Sequence, residues 1–182
     1  MAYFSQITIN GKIGYKDEND NIVVKPIYDN GQYLTSESKG YYLSVKKDGK
    51  CGIIDVKENN IVPFEYEEAY HIFDNLFIVR KGLANKEWVV GVIDSNGVVI
   101  IPFKYKYIHH LGRFIECYEN AKSDCPYYHE GKVYNYSSTQ KYGIWYNHLG
   151  EAIYNGEGVT GTNDYLIIKE GNKLGVDRTS VV

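Results

Sequence analysis

Gly49-Lys50-Cys51-Gly52-Ile53-Ile54-Asp55, with Asn59-Asn60-Ile61-Val62-Pro63-Phe64-Glu65-Tyr66 close behind it, decides the fold because the phrase recurs. Aligned on the second glycine, it returns as Gly11-Lys12-Ile13-Gly14-Tyr15-Lys16-Asp17 with Ile22-Val23-Val24-Lys25-Pro26-Ile27-Tyr28. It returns again as Val90-Gly91-Val92-Ile93-Asp94 with Gly97-Val98-Val99-Ile100-Ile101-Pro102-Phe103-Lys104-Tyr105. Two weaker copies follow, Lys141-Tyr142-Gly143-Ile144-Trp145-Tyr146 with Leu149 to Tyr154, and a half copy, Gly171-Asn172-Lys173-Leu174-Gly175-Val176-Asp177. The anchoring glycines at 14, 52, 91, 143 and 175 are 38, 39, 52 and 32 residues apart, the self-similarity of a repeat array.

Within one copy the pattern reads as strands. Ser5-Gln6-Ile7-Thr8-Ile9 alternates, and Asn10-Gly11 suits a type I′ hairpin, whose two central residues both need φ > 0. Lys12 to Lys16 returns, and Ile22-Val23-Val24 forms a third strand expected to stop before Pro26, which has no N–H for a ladder. Each copy is therefore read as a three-stranded meander. Residues two apart share a face of a strand. Ile13 with Tyr15, Cys51 with Ile53, Val90 with Val92, Tyr142 with Ile144 and Leu174 with Val176 thus give one apolar face as the common core. The other face, with Lys16, Ile54, Ile93 or Trp145, is expected to meet water, a neighbouring segment or a ligand. The glycine marks a bulge or a close approach by an aromatic ring or backbone. Asp17, Asp55 and Asp94 recur three residues past it, where a carboxylate entering a turn accepts backbone N–H groups, so they read as framework and not as catalysts.

Glycine, hydrophobic pair, aspartate, turn, Val/Ile pair, proline and tyrosine, in that order, resembles the bacterial WG repeat family over nearly the whole chain. The tryptophan that names the family would precede the glycine, where this chain has Ile13, Cys51, Val90, Tyr142 and Leu174. The resemblance implies an all-β repeat protein that serves as a binding or interaction module, with no activity general to the family.

The fold expected is all-β: about four and a half antiparallel meanders in an open, twisted or solenoid-like array, spanning 1–182 as a single repeat domain. A closed barrel or propeller-like arrangement is the alternative, which the uneven spacing disfavours. The copies are placed at 5–40, 41–75, 76–116, 117–160 with an insertion, and 161–182. Asp29 to Gly40 reads as a loop, and Glu65-Tyr66-Glu67-Glu68-Ala69-Tyr70 as a helical turn or a bent strand. Short apolar runs at 41–47, 76–80 and 165–169 suit strands covered on both faces.

Charge and motifs narrow the function by exclusion. Net charge is -3 with both signs interspersed, which gives no support to a nucleic-acid or membrane partner. The opening residues carry no signal-peptide pattern, and the reading is cytoplasmic. Three cysteines, Cys51, Cys117 and Cys125, fit reduced thiols better than disulfides. Cys117, Cys125 and His129, with His109 or His110, lack the paired close spacing of a zinc site, so no metal and no cofactor is expected. His71 and His148 have no companion at catalytic spacing, and no nucleophile elbow, phosphate loop or metalloprotease motif occurs. The chain reads as a non-enzyme.

What stands out is 19 tyrosines and a break in the period between Tyr105 and Tyr142. Insertions in a repeat map to loops, often on the binding side. Tyr127, Tyr128, Tyr134, Tyr136, Trp145 and Tyr146 are the candidate contact residues, since large aromatic side chains bind at low entropy cost. The partner expected is another protein, with an immunity or regulatory partner of a bacterial toxin or effector as the specific form. A carbohydrate or other small ligand is the alternative. The last copy stops before its proline-bearing strand, which leaves an edge open to another chain or to self-association.

Overall fold

The computed structural model describes residues 4–36, 40–85, 87–119, 128–129, 132–133, 143–155, 157–161, 165–170 and 173–178. All their regular structure is β, and no helix occurs among the described residues. β1 (Ser5–Ile9), β2 (Lys12–Lys16) and β3 (Ile22–Tyr28) form the first sheet. β4 (Asn30–Ser36), β5 (Gly40–Lys47), β6 (Lys50–Asp55) and β7 (Asn60–Tyr66) form the second. β8 (Glu68–Phe73), β9 (Leu76–Gly82), β10 (Trp88–Asp94) and β11 (Val99–Tyr105) form the third. β12 (Tyr107–Leu111) and β13 (Phe114–Tyr118) open the fourth, and the small hairpin of β14 (Tyr128–His129) and β15 (Lys132–Val133) intervenes. β16 (Ile144–Tyr146) and β17 (Ala152–Asn155) then complete that sheet. β18 (Glu157–Gly161), β19 (Tyr165–Glu170) and β20 (Lys173–Arg178) form the last. Each sheet runs in chain order with open ends, and none closes into a barrel. The chain divides into two compact units, residues 1–87 with 92–99, and residues 88–91 with 100–182.

The full unit is a four-stranded meander, one strand more than the repeated phrase shows. Its strands are called a, b, c and d in order; the first sheet holds b to d and the last a to c. The extra strand is a. Asn30–Ser36, which reads as a loop by its polarity, is β4, paired along its length with β5 from Asn30↔Lys46 to Ser36↔Gly40. An edge strand draws its backbone bonds from one neighbour, so a polar sequence suffices there. Glu65 to Tyr70 is a bent strand and not a helical turn: β7 ends at Tyr66, Glu67 turns the corner and β8 begins.

The corner is one residue long, and the chain makes it in the same way each time. Asp29, Glu67 and Lys106 donate their backbone N–H to the carbonyls of Lys46 (2.7 Å), Arg80 (2.9 Å) and Tyr118 (2.8 Å) on the next strand b. The acidic corners also hold the lysine that starts strand c, Asp29 with Lys12 and Glu67 with Lys50 (2.5 Å). In the third copy the charge is reversed, and Lys106 Nζ donates to the Trp88 carbonyl at 3.0 Å. Exposed pairs of this kind add little stability, so the backbone bond defines the corner.

Strand d explains the anchoring glycine. β3, β7 and β11 show one burial pattern, with Val24 and Tyr28, Val62 and Tyr66, and Ile101 and Tyr105 inward. The strand does not stop at proline as the sequence suggests. It lies at the sheet edge, where the missing N–H of Pro26, Pro63 or Pro102 deprives no neighbouring strand. Pairing runs Ile13↔Tyr28 then Tyr15↔Val24, and Cys51↔Tyr66 then Ile53↔Val62, so strand d carries two extra residues around its proline. That bulge sits over the glycine. A Cβ on Gly14 would lie 2.6 Å from the Val24 oxygen, on Gly52 2.8 Å from the Val62 oxygen, and on Gly91 2.9 Å from the Ile101 oxygen, with Phe64 and Phe103 rings at 3.0 Å from the last two.

The recurring aspartates close the c–d turn. Asp55 Oδ1 accepts from the backbone N–H of Lys57 (2.8 Å) and Asn59 (2.9 Å), and its Oδ2 accepts from the Asn59 amide (2.7 Å). Asp17 and Asp94 do the same with Asn19 and Asn21, and with Asn96 and Val98. In the fourth sheet Asn147 takes the place, accepting from Leu149 and Glu151 at 3.0 Å each. Asp55→Ala strips three bonds from one turn, and a loss of about 1–2 kcal/mol in urea unfolding is expected, the size of a lost helix cap.

The seam between copies buries both faces of strand c. Ile53 and Val92 are fully buried, as the sequence requires, but Ile54, Ile93 and Trp145 on the opposite face are equally buried. Ile54 packs with Leu43 and Val45 onto Tyr15, Val24 and Tyr28 of the copy before it, and Phe64 stacks on Tyr28 with centroids 6.0 Å apart. In the last copy the expected core face fails: Leu174 is 69% exposed. Tyr142 and the Val176 side chain lie outside the described residues.

Candidate functional site

The b–c turn is where the copies differ most. It holds two residues in the first two sheets, Asn10-Gly11 (φ 51° and 76°) and Asp48-Gly49 (φ 52° and 79°), both with the positive φ of a type I′ turn. In the third it spans 83–87, closed by Leu83 N–H on the Glu87 oxygen at 2.7 Å. In the fourth it spans 119–143. The insertion is therefore narrower than the broken period suggests. Tyr107 to His110 belongs to β12 and Cys117-Tyr118 to β13, in unbroken register from Tyr107↔Tyr118 to Leu111↔Phe114.

The strands flanking the insertion carry an unusual row. His109 pairs with Glu116, Glu116 with Trp145, and Trp145 with Tyr154, so the four side chains lie side by side on one face. Tyr107 stacks on His109 (5.8 Å, 19°), and His109 meets Trp145 edge-on (5.9 Å, 70°). Glu116 is 5% exposed and accepts the Gly143 N–H at 3.1 Å. A Cβ on Gly143 would fall 2.5 Å from Glu116 Cγ, so in this copy the anchoring glycine makes room for a carboxyl group and not for strand d.

His109 Nδ1 stands 3.4 Å from Glu116 Oε2 without making a hydrogen bond. Burial pushes His109 down to about 4 and Glu116 up, each toward its neutral form. The pair does not make a catalytic centre with Cys117, whose side chain alternates to the other face of β13 and whose thiol burial pushes far up, away from the reactive thiolate. NMR titration is expected to show His109 neutral from pH 8 to 5.5 and protonating only near pH 4. A base with a lowered folded pKa favours the fold above its unfolded value of about 6.5, and that contribution is lost as pH falls toward 4. Glu116 runs the other way, adding stability as pH falls through its raised value toward the ordinary carboxylate range.

The candidate contact residues divide. Trp145 is fully buried, packed with Phe114 and Leu166. Tyr146 is 9% exposed, its hydroxyl hydrogen-bonded to that of Tyr105. Both belong to the core of their unit. Tyr128 stands in β14, paired with Val133, its side chain outside the described residues; Tyr127, Tyr134 and Tyr136 lie outside them altogether. Among the described residues no three His, Cys, Asp or Glu gather to hold a metal ion, and Cys125 and the His129 side chain fall outside that set. No helix among the described residues is long and apolar enough to cross a membrane. Sequence reasoning missed the His109–Glu116–Trp145 row. The available signal was Glu116 itself, one charge within Phe114-Ile115-Glu116-Cys117-Tyr118.

No curated protein and no solved structure matches the chain. The repeated sheet with its glycine, bulged proline strand and aspartate turn does have a counterpart among protein families. The WG containing repeat matches at residues 13–51, 52–86 and 91–113, more than half of the sequence, and the chain belongs to the WG repeat family.

Proposed function

We propose that the chain is a non-enzymatic, repeat-based module that binds another protein, with residues 119–143 as its contact arm. The observation that carries this is the b–c turn of the fourth sheet. A connection that takes two residues in the first two sheets takes 119–143 here, while β13 and β16 on either side keep their pairing. The arm contains Tyr127, Tyr128, Tyr134 and Tyr136, side chains that supply contact area for few frozen torsions. Family membership supports a binding role. The recurrent acids are consumed by turns and corners, which leaves the non-enzymatic reading the simpler one.

By analogy with the family, the partner would be a bacterial toxin or effector, and the chain its immunity or regulatory partner in the cytoplasm. Affinity capture from the native cell, repeated with Tyr127→Ala/Tyr128→Ala, tests the proposal. The expected result is a protein retained by the native chain and lost from the variant at an unchanged melting temperature. A partner retained equally by both would overturn the role of the arm.

A further inference from the structure

Asn-Gly occurs at 10–11, 30–31, 96–97 and 155–156, and the first three pairs lie wholly among the described residues. Such a pair carries a latent reaction. The glycine nitrogen, bonded to the asparagine's own main-chain carbonyl, can attack the side-chain Cγ and close a five-membered ring. Glycine has no Cβ to crowd the new bond. The attack is intramolecular, so its rate depends on whether the fold lets the nitrogen reach the carbon.

The three described pairs differ in that freedom. Asn30-Gly31 lies inside β4, where Asn30 pairs with Lys46 and Gly31 with Val45. The Gly31 N–H donates to Asn30 Oδ1 at 2.8 Å, and the Tyr15 hydroxyl stands 2.6 Å from where a Cβ on Gly31 would lie. This backbone has no room to turn. Asn96-Gly97 is held by the c–d turn. The Gly97 N–H donates to the Asp94 carbonyl at 3.0 Å, and Asn96 donates to the Asp94 carboxylate through its backbone N–H at 2.8 Å and its side-chain amide at 3.2 Å.

Asn10-Gly11 has neither restraint. It is the whole of the β1–β2 turn, both residues are exposed, and no atom lies within 4 Å of a Cβ on Gly11. The nearest backbone pairing is Ile9↔Lys12, on the strands behind it. Among the described residues β1 is the outer strand of its sheet, so opening the turn disturbs one pairing alone. The matching turn of the second sheet shows what the fold accepts here. Asp48-Gly49 has φ of 52° and 79°, against 51° and 76° at Asn10-Gly11, so aspartate fits this turn.

We propose that Asn10 is a self-modification site, where the Gly11 backbone nitrogen displaces the side-chain amide and water completes the change to aspartate and isoaspartate. No reactant but water is needed. The Gly11 nitrogen gives its proton to solvent and bonds to Asn10 Cγ, while Nδ2 takes a proton and leaves as ammonia. Water then opens the ring. Attack at Cγ restores the normal main chain and gives aspartate, and attack at the main-chain carbonyl gives isoaspartate. The first product adds one negative charge and keeps the turn, as Asp48 does. The second also carries an extra methylene in the main chain, which a two-residue type I′ turn cannot absorb, so the β1–β2 hairpin loosens.

The test holds the whole folded chain in mildly alkaline heavy-oxygen water and reads positions 10, 30 and 96 by peptide mapping. Expected at position 10 is label uptake with both products. Asn30 and Asn96 should convert more slowly, by about fivefold for each hydrogen bond that must first break. In concentrated urea the three pairs should react alike, which assigns the difference to the fold. An Asn10 left intact, or converted no faster than Asn30 and Asn96 in the folded chain, would overturn the proposal.

Discussion

Replacing Gly52 by valine is expected to destabilise the first compact unit by about 3 kcal/mol, at the upper end of the cost of overpacking. The physical cause is local. The new Cβ would meet the Val62 oxygen at 2.8 Å and the Phe64 ring at 3.0 Å. Neither can retreat freely, because Phe64 is stacked on Tyr28 and Val62 is fully buried. In a melting curve of a unit of this size the change corresponds to a fall of roughly 12–24 °C. Gly97 provides the contrast. Its φ is +79° but nothing lies within 4 Å of a Cβ there, so Gly97→Ala carries only backbone strain of about 1 kcal/mol. A Gly52→Val melt equal to the native one would show that the bulge does not sit on the glycine.

Trp145→Ala should cost the second unit about 3–5 kcal/mol, the loss expected for a large aromatic removed from a packed core. Its ring is fully buried among Phe114 and Leu166 and edge-on to His109. Read as a contact residue, Trp145 would give a stable variant that no longer binds; read from the structure, it gives an early-melting second unit. Fluorescence separates these outcomes, since Trp88 remains as the sole reporter, and limited proteolysis should show cleavage confined to 100–182.

Much of the architecture is legible in the residues because it is carried by backbone chemistry that repeats. Gly52 with Val62 and Phe64, Asp55 with its turn, and Asn10-Gly11 each act within one copy, so local sequence announces them. Strand a is not legible, because β4 is defined by pairing with β5 and its own polar sequence carries no alternation. The second buried face of strand c is not legible either. Ile54 looks free within its own copy and is covered by Tyr15, Val24 and Tyr28 of the copy before. The same reasoning separates the candidate contact residues. Trp145 has the chemistry of a contact residue, and its burial depends on strands far away in sequence. The proline rule failed at Pro26 because strand d lies at an edge, where a missing N–H costs nothing.

The central claim is that each of the first three copies folds a bulged strand d over its anchoring glycine, and cross-strand nuclear Overhauser effects in the second sheet test it most directly. The account predicts contacts for Cys51 with Tyr66, Ile53 with Val62 and Ile54 with Asn60. A regular ladder, in which Cys51 faces Tyr66 and Ile53 faces Phe64, would contradict it.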